Sequence, residues 1–442
     1  MLVSLSSANR ELAKANSQIE NGRFAIQVLQ SDIAHAGFWG TFVPQFDDVN
    51  WQFLPNDTPT ALPDPCLAYS TANWDFTYKN NLIGIPVQSG DAAPAGCTTV
   101  SGKKADTDVL VVRHTATCVP GDTNCDADTA GKMYFQSSPC SAGTAGTAQS
   151  GTSTTITLIA ASASSTTSRT NNAYSGMIIR TTGGTGAGQS RVISTYDGTT
   201  FVATVTVAWT TIPDNTTTYT IVEAVLDTSG FTLHQRGSDC ATAAAADKRK
   251  FISNIYYIRN YATTVGDGIP TLMRSSFDPA GPVALAHQTA EALVEGIEGF
   301  GVELGIDDTV TRCALNTAVN YAAVVDKIDP TTCAANTDVT LNTLPINRGD
   351  GNPDTFIRCT TAVPCTAAQL ANVVAAKLYV LARSTETTPG YTDTKTYCLA
   401  AIDATGVCPD ANKLGPFNDS YKRHLFSTTV RLNNTSGRRE TP

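Results

Sequence analysis

The stretch from Ser4 to Gly40, SLSSANRELAKANSQIENGRFAIQVLQSDIAHAGFWG, decides how the chain is read. Leu12, Ala15, Ile19, Gly22, Ile26, Leu29, Ile33 and Ala36 recur at alternating steps of three and four. That spacing aligns them in one stripe along a helix. Ala25 and Val28 widen the stripe in its second half, so that half is expected against something broader than one helix. Glu11–Lys14, Glu20–Arg23 and Asp32–His35 stand three apart, expected on the side away from the seam. Gly37 follows the last periodic residue, as a left-handed cap would. At a rise of about 1.5 Å per residue the helix would be roughly 45–50 Å long, beyond the usual element of a compact domain. The expectation is a stalk that docks the protein into an assembly. Its partner-binding residues would be Leu12, Ala15, Ile19, Gly22, Ile26, Leu29 and Ile33, and the rest of the chain would hang on its C-terminal half.

The chain has 442 residues, enough for about two to three domains. Only 16% of residues are charged and the net charge is −9, which argues against nucleic acid as a partner. Twelve cysteines in a polar, Thr- and Gly-rich chain favour an oxidising compartment. Cys118 and Cys125, Cys313 and Cys333, Cys359 and Cys365, and Cys398 and Cys408 lie close in sequence. None forms the paired CxxC spacing of a zinc site, and the five histidines are scattered. Disulfides are the better reading, with connectivity left open.

Asp108 to His114 is a short apolar run bounded by polar residues, a strand signal. Phe38, Trp39, Phe42, Phe46, Trp51 and Phe53 follow the helix and are expected to cover its end. At Ser141 the composition turns to Thr, Ser, Gly and Ala, starting with a low-complexity tract to Thr170. Thr154–Ile159, Met177–Arg180, Arg191–Thr195, Phe201–Val207 and Tyr219–Val225 read as short strands separated by turn signals. Residues 141–225 are thus expected to be a small antiparallel β-module inserted in a host. Gly184, Gly186 and Gly188 look superficially like a phosphate cradle, but they precede a strand, which favours a hairpin turn. Beyond the module, Phe231–Arg236, Lys250–Tyr261, Thr271–Arg274, Leu293–Leu304, Asn372–Ser384 and Arg423–Leu432 read as strands, and 437–442 as a polar tail. The fold class is α+β: a long N-terminal helix packed on an antiparallel sheet, plus a small all-β module. The boundaries are 1–40, 41–140, 141–225 and 226–442.

The run Ile19 to Gly40, IENGRFAIQVLQSDIAHAGFWG, resembles the signature of the PilW family of type IV pilus minor pilins. FISNIYYIRNY, GDGIPTLMR, LVEGIEGFGVELGIDD, VVAAKLYVLARS and KRHLFSTTVRLNN resemble further blocks of that family in the same order. The resemblance implies a pilin-like head and a structural role in priming pilus assembly at the tip. It also implies other minor pilins and a tip adhesin as partners, and a place at the pilus tip or cell surface. In that family an apolar membrane segment precedes this helix, anchoring the protein in the inner membrane. The chain starts at Met1 where such a segment would be ending, and it contains no stretch of about 18 or more apolar residues. The piece Tyr174–Arg180 with Gly184–Arg191 is similar to β-modules of phage structural and bacterial surface proteins.

Catalytic signatures are missing: there is no GxSxG, HExxH or Cys–His motif. Ser101 to Lys104 fits SxxK, a pattern that arises easily by chance, and reads as a loop. Asp122, Asn124, Asp126 and Asp128 place oxygens at every second residue, as do Asp350, Asn352 and Asp354, in the manner of calcium loops. Neither has Glu at the twelfth position, where Met133 and Thr361 stand. Solvated turns are the base reading, with calcium as the only cofactor candidate. Arg348-Gly349-Asp350 spells an integrin-type tripeptide by chance. The competing functions are a structural pilus subunit, an adhesin or phage-like receptor-binding protein using 141–225, and a secreted enzyme. A pocket of converging acid, base and metal groups would revive the last.

Overall fold

The computed structural model describes residues 2–50, 54–55, 57–70, 72–137, 144–162, 165, 167–175, 177–222, 224–228, 247–279, 284–310, 313, 316–335, 343–402 and 406–440. The chain forms two units. Unit 1 is Met1–Phe38, Val43–His114 and Ile252–Pro442; unit 2 is Trp39–Phe42 and Thr115–Phe251.

Unit 1 is organised on helix α1, Leu2–His35. It packs on an antiparallel sheet of four strands. These are β1 (Ile297–Ile306), β2 (Thr355–Ile357), β3 (Val373–Arg383) and β4 (Arg423–Arg431), in the order β2-β1-β3-β4. Alternation along β3 sends Ala376, Leu378, Val380 and Ala382 into one core with Ala25, Leu29, Ile33 and Ala36 of α1. Tyr379 and Leu381 point the other way, into a smaller core with Tyr397 and Leu399. Burying Leu29 and Ile33 completely stabilises by about 1.5–3 kcal/mol each.

Sequence reading placed one strand from Leu293 to Leu304. The chain instead forms two, Glu291–Glu295 and β1, broken at Gly296 with φ +76°. A side chain there would be strained by that φ and would meet the Arg383 carbonyl at 2.7 Å. The supposed tail is also structured: Asn433–Arg439 is a helix whose Arg439 is buried. A second antiparallel sheet of unit 1 runs through Val87–Gly90, Val109–Thr115, the Asn254–Arg259 part of Lys248–Arg259, Thr271–Pro279 and Glu291–Glu295.

In unit 2 a seven-strand path begins at Ala145–Thr147 and ends at Ser150–Gly151. These two ends are halves of one continuous stretch. Its first half pairs with Thr218–Thr220 and its second with Ile156–Thr157. The sheet therefore closes on itself as a small barrel around Ile156, Ile179, Ile193, Tyr196, Tyr219 and Ile221. Gly184 to Gly188 form the turn between Ile178–Gly183 and Ser190–Asp197, as the following strand had indicated. The strand expected at Phe231–Arg236 lies outside the described residues.

The aromatic run after α1 divides. Trp39 and Phe42 pack on Phe135 in unit 2, and Phe46 packs on Tyr321 in unit 1. They fill two cores, where the sequence suggested one cover for the helix end. Trp51 and Phe53 lie outside the described residues.

Candidate assembly interface on the long helix

Helix α1 reads differently along its two halves. In the second half, Gly22, Leu29 and Ile33 of the expected partner-binding stripe are buried on this chain's own sheet, and Ile26 is half-buried. Side chains already covered in this way present nothing to another helix. In the first half, Leu12 is 61% exposed, while Ala15 and Ile19 are half-buried. Phe24, outside the stripe, is 52% exposed.

Gly22 sits where α1 crosses β4. A Cβ there would lie 2.1 Å from the Phe426 ring, so glycine permits the close approach. Gly37 takes φ +72° and donates its N–H to the Arg113 carbonyl at 3.0 Å, the cap its position implied.

Polar residues seat the helix as firmly as apolar ones. Gln18, buried, donates through Nε2 to the carbonyls of Ala382 (2.8 Å) and Lys422 (3.1 Å), satisfying strand ends beneath the helix. Gln30 reaches Thr428 at 2.9 Å. Glu11 and Lys14 do form their pair at 3.3 Å, but not on an outward face. Lys14 also donates to the Thr387 carbonyl, and Glu11 accepts from Lys422 and Thr388, each at 2.9 Å. Lys422 first, then the Thr388 hydroxyl, hold the Glu11 carboxyl at about 2.

The expected Asp32–His35 pair does not form. Asp32 accepts from His114 Nε2 at 2.8 Å, Asn254 at 3.0 Å and Tyr256 at 2.9 Å. Burial pushes this carboxyl up, but the His114 bond and charge, with Asn254 and Tyr256, outweigh it and hold the group below its usual range. His35 Nδ1 instead meets the Ser31 carbonyl at 2.7 Å. Gln18 and the tertiary partners of Asp32 carried no sequence signal, since both depend on strands 82 or more residues away.

The acidic loops turn their oxygens on the backbone. Asp354 Oδ2 accepts the amides of Asp308 and Thr309 at 2.9 Å, and Asp350 Oδ1 accepts the Asn352 amide at 3.0 Å. Asp350, Asn352 and Asp354 therefore make turns, and no group of three or more metal-type side chains forms among the described residues. Asp128 pairs with Lys248 at 2.8 Å. Arg348 of the Arg-Gly-Asp tripeptide is 2% exposed and donates to the carbonyls of Asn320 and Ala323, out of reach of a receptor. Lys103 of the SxxK loop donates to the carbonyls of Thr107 and Lys104.

Disulfides join Cys118–Cys125, Cys313–Cys333, Cys359–Cys365 and Cys398–Cys408. Cys66–Cys97, which the sequence did not single out, is a fifth. Among the described residues no helix is long and apolar enough to cross a membrane.

No curated protein and no solved structure matches the chain. Residues 255–434 match the family described as PilW, Type IV Pilus-assembly protein W. That segment contains all four strands of the sheet that carries α1. The description of the matched family places it in type IV pilus assembly. Over that segment, which forms the platform of the long helix, the chain is similar to the PilW family of type IV pilus-assembly proteins.

Proposed function

We propose that the chain is a minor pilin that helps prime pilus assembly and forms part of the tip complex. The observation that carries this reading is the seating of α1 on the four strands of the family-matched segment. The second half of the helix is fixed to its own head, and exposed apolar side chains, Leu12 and Phe24, remain along it. These can lie against helices of neighbouring pilins, as apolar seams do in helical assemblies. The partners are other minor pilins and the tip adhesin, with the inner membrane engaged through an apolar segment ahead of this helix.

The test replaces Leu12 and Phe24 by Glu together in the full-length protein in a piliated host. Both are exposed, so protein level should hold while surface pili fall several-fold. Normal piliation at normal protein level would overturn the reading.

A second reading, an adhesin working through the barrel, is favoured by one observation. Ala145 pairs with Thr220, so the ends of the barrel segment are neighbours and it can be excised with a short bridge. If deletion leaves pili intact and abolishes attachment, the barrel binds; if assembly stops, it is structural.

A further inference from the structure

The long strand β4 forms one margin of the helix-bearing sheet. It pairs with β3 from Arg383↔Arg423 to Ala375↔Arg431, without a register shift, and with no other strand among the described residues. Its outward amides and carbonyls have no hydrogen-bond partner among the described residues. At about 3.4 Å per residue this is an open edge of roughly 30 Å. The opposite margin, β2, is only three residues long.

Proteins usually blunt such an edge with charged side chains, proline, a bulge or brevity. RHLFSTTVR has no proline or bulge, and its arginines stand only at the two ends, leaving Leu425 to Val430 without a charge. The same chain removes the edges of the barrel by closing it on the 145–151 stretch. One face of β4 is occupied, with Phe426 against Gly22 and Thr428 against Gln30. Ser427, Thr429 and Arg431 on the other face are exposed.

We propose that the free edge of β4 receives an extended segment of another protein, which adds as a further antiparallel or parallel strand. The occupant has an uncharged, β-branched middle and a carboxylate near each end. Charge supports this choice. The strand contains no acidic residue, and its exposed ionisable side chains, His424 and Arg431, are basic and stand towards opposite ends. Arg431 is bonded to Glu440 and Ser436 yet remains half exposed. A second copy of this chain is a poorer fit. Two-fold pairing about Ser427 sets His424 opposite Val430 at both ends, so His424 meets no carboxylate on the opposing strand. The edge is separate from the outward side of α1, so its failure would leave the minor-pilin reading standing.

The test measures amide hydrogen exchange across the full chain with a synthetic eight-residue peptide, whose two ends point to opposite faces as His424 and Arg431 do. The peptide alternates Val and Thr and has Glu at each end. Exchange at 424–430 should slow by about tenfold or more at saturation. A peptide N-methylated along both edges should give no protection, and a version with Lys at each end should bind several-fold more weakly. No protection by the first peptide, equal binding of the N-methylated one, or equal binding of the Lys version would overturn the proposal. So would a dimer in light scattering whose formation itself protects 424–430.

Discussion

Single residues set the terms on which α1 meets its sheet. Replacing Gly22 by Ala adds about 1 kcal/mol of helix propensity, but overpacking against the Phe426 ring costs about 1–3 kcal/mol. The net expectation is destabilisation by about 1 kcal/mol in chemical unfolding. The cost should be relieved in Gly22→Ala/Phe426→Ala, whose loss should be smaller than the sum of the single losses; strict additivity would reject the contact. His287 is a second such point. It lies buried with Nε2 3.2 Å from Ser253 Oγ and Nδ1 3.2 Å from the Ser275 carbonyl. Burial, then the Arg113 charge, push it down to about 3. Its folded value is depressed below an unfolded value of about 6.5, so its contribution is present above that pH and is lost as pH falls towards 3. Asp57 and Asp307, raised to about 6 chiefly by burial, act in the opposite sense and lose stability as pH rises through that value. Comparing wild type with His287→Gln separates the two. From pH 7 to pH 4 the wild type should lose about 3 kcal/mol relative to the variant. A difference that stays constant with pH would refute the neutral, buried histidine.

At the scale of elements, the C-terminal helix Asn433–Arg439 matters out of proportion to its length. Arg439 is 1% exposed and reaches Asp47 at 2.6 Å, Asn372 at 2.9 Å and Asp307 at 3.3 Å. Arg438 adds Asp47 at 2.8 Å. Arg439→Met would leave two buried carboxylates short of their cation, with an expected loss of about 3–5 kcal/mol in denaturant unfolding. A loss under about 1 kcal/mol would mean that those carboxylates are protonated or solvated instead. The disulfide Cys66–Cys97 spans 31 residues, and its removal by Cys66→Ser/Cys97→Ser should cost about 3–4 kcal/mol through unfolded-chain entropy. The short Cys118–Cys125 loop, with a separation of 7, should cost about 1 kcal/mol less when opened. Thermal unfolding of the two variants ranks them.

For the whole molecule, two units with separate cores imply separable folding. The barrel has its own apolar interior and closes its own edges, so a piece covering 144–222 should fold alone. Circular dichroism and a single cooperative melt would confirm it; a non-cooperative melt would show that it needs the rest of unit 2. Much of this organisation was legible in the chain. Val109–Thr115, β3 and β4 were readable because apolar and β-branched runs of their length suit buried strands. Strands between 145 and 222 were readable because turn residues punctuate them, while the unit that holds them, Thr115–Phe251 with Trp39–Phe42, is wider than the compositional shift at Ser141 indicated. The C-terminal helix was not, because Asn433–Arg439 is polar along its length and is stabilised by distant carboxylates.

Local spacing determined that residues 2–35 form a helix with one apolar side, since a period near 3.6 is a property of neighbours along the chain. Composition determined that the chain carries disulfides and a Thr/Gly-rich β-module. Which part of the apolar side belongs to the chain's own core was decided only in three dimensions. Leu29 and Ile33 are hidden because β1 and β3 fold back over them, whereas Leu12 stays open. The widening at Ala25 and Val28 pointed to the second half as the covered one, but which strands cover it depends on residues more than 260 positions downstream.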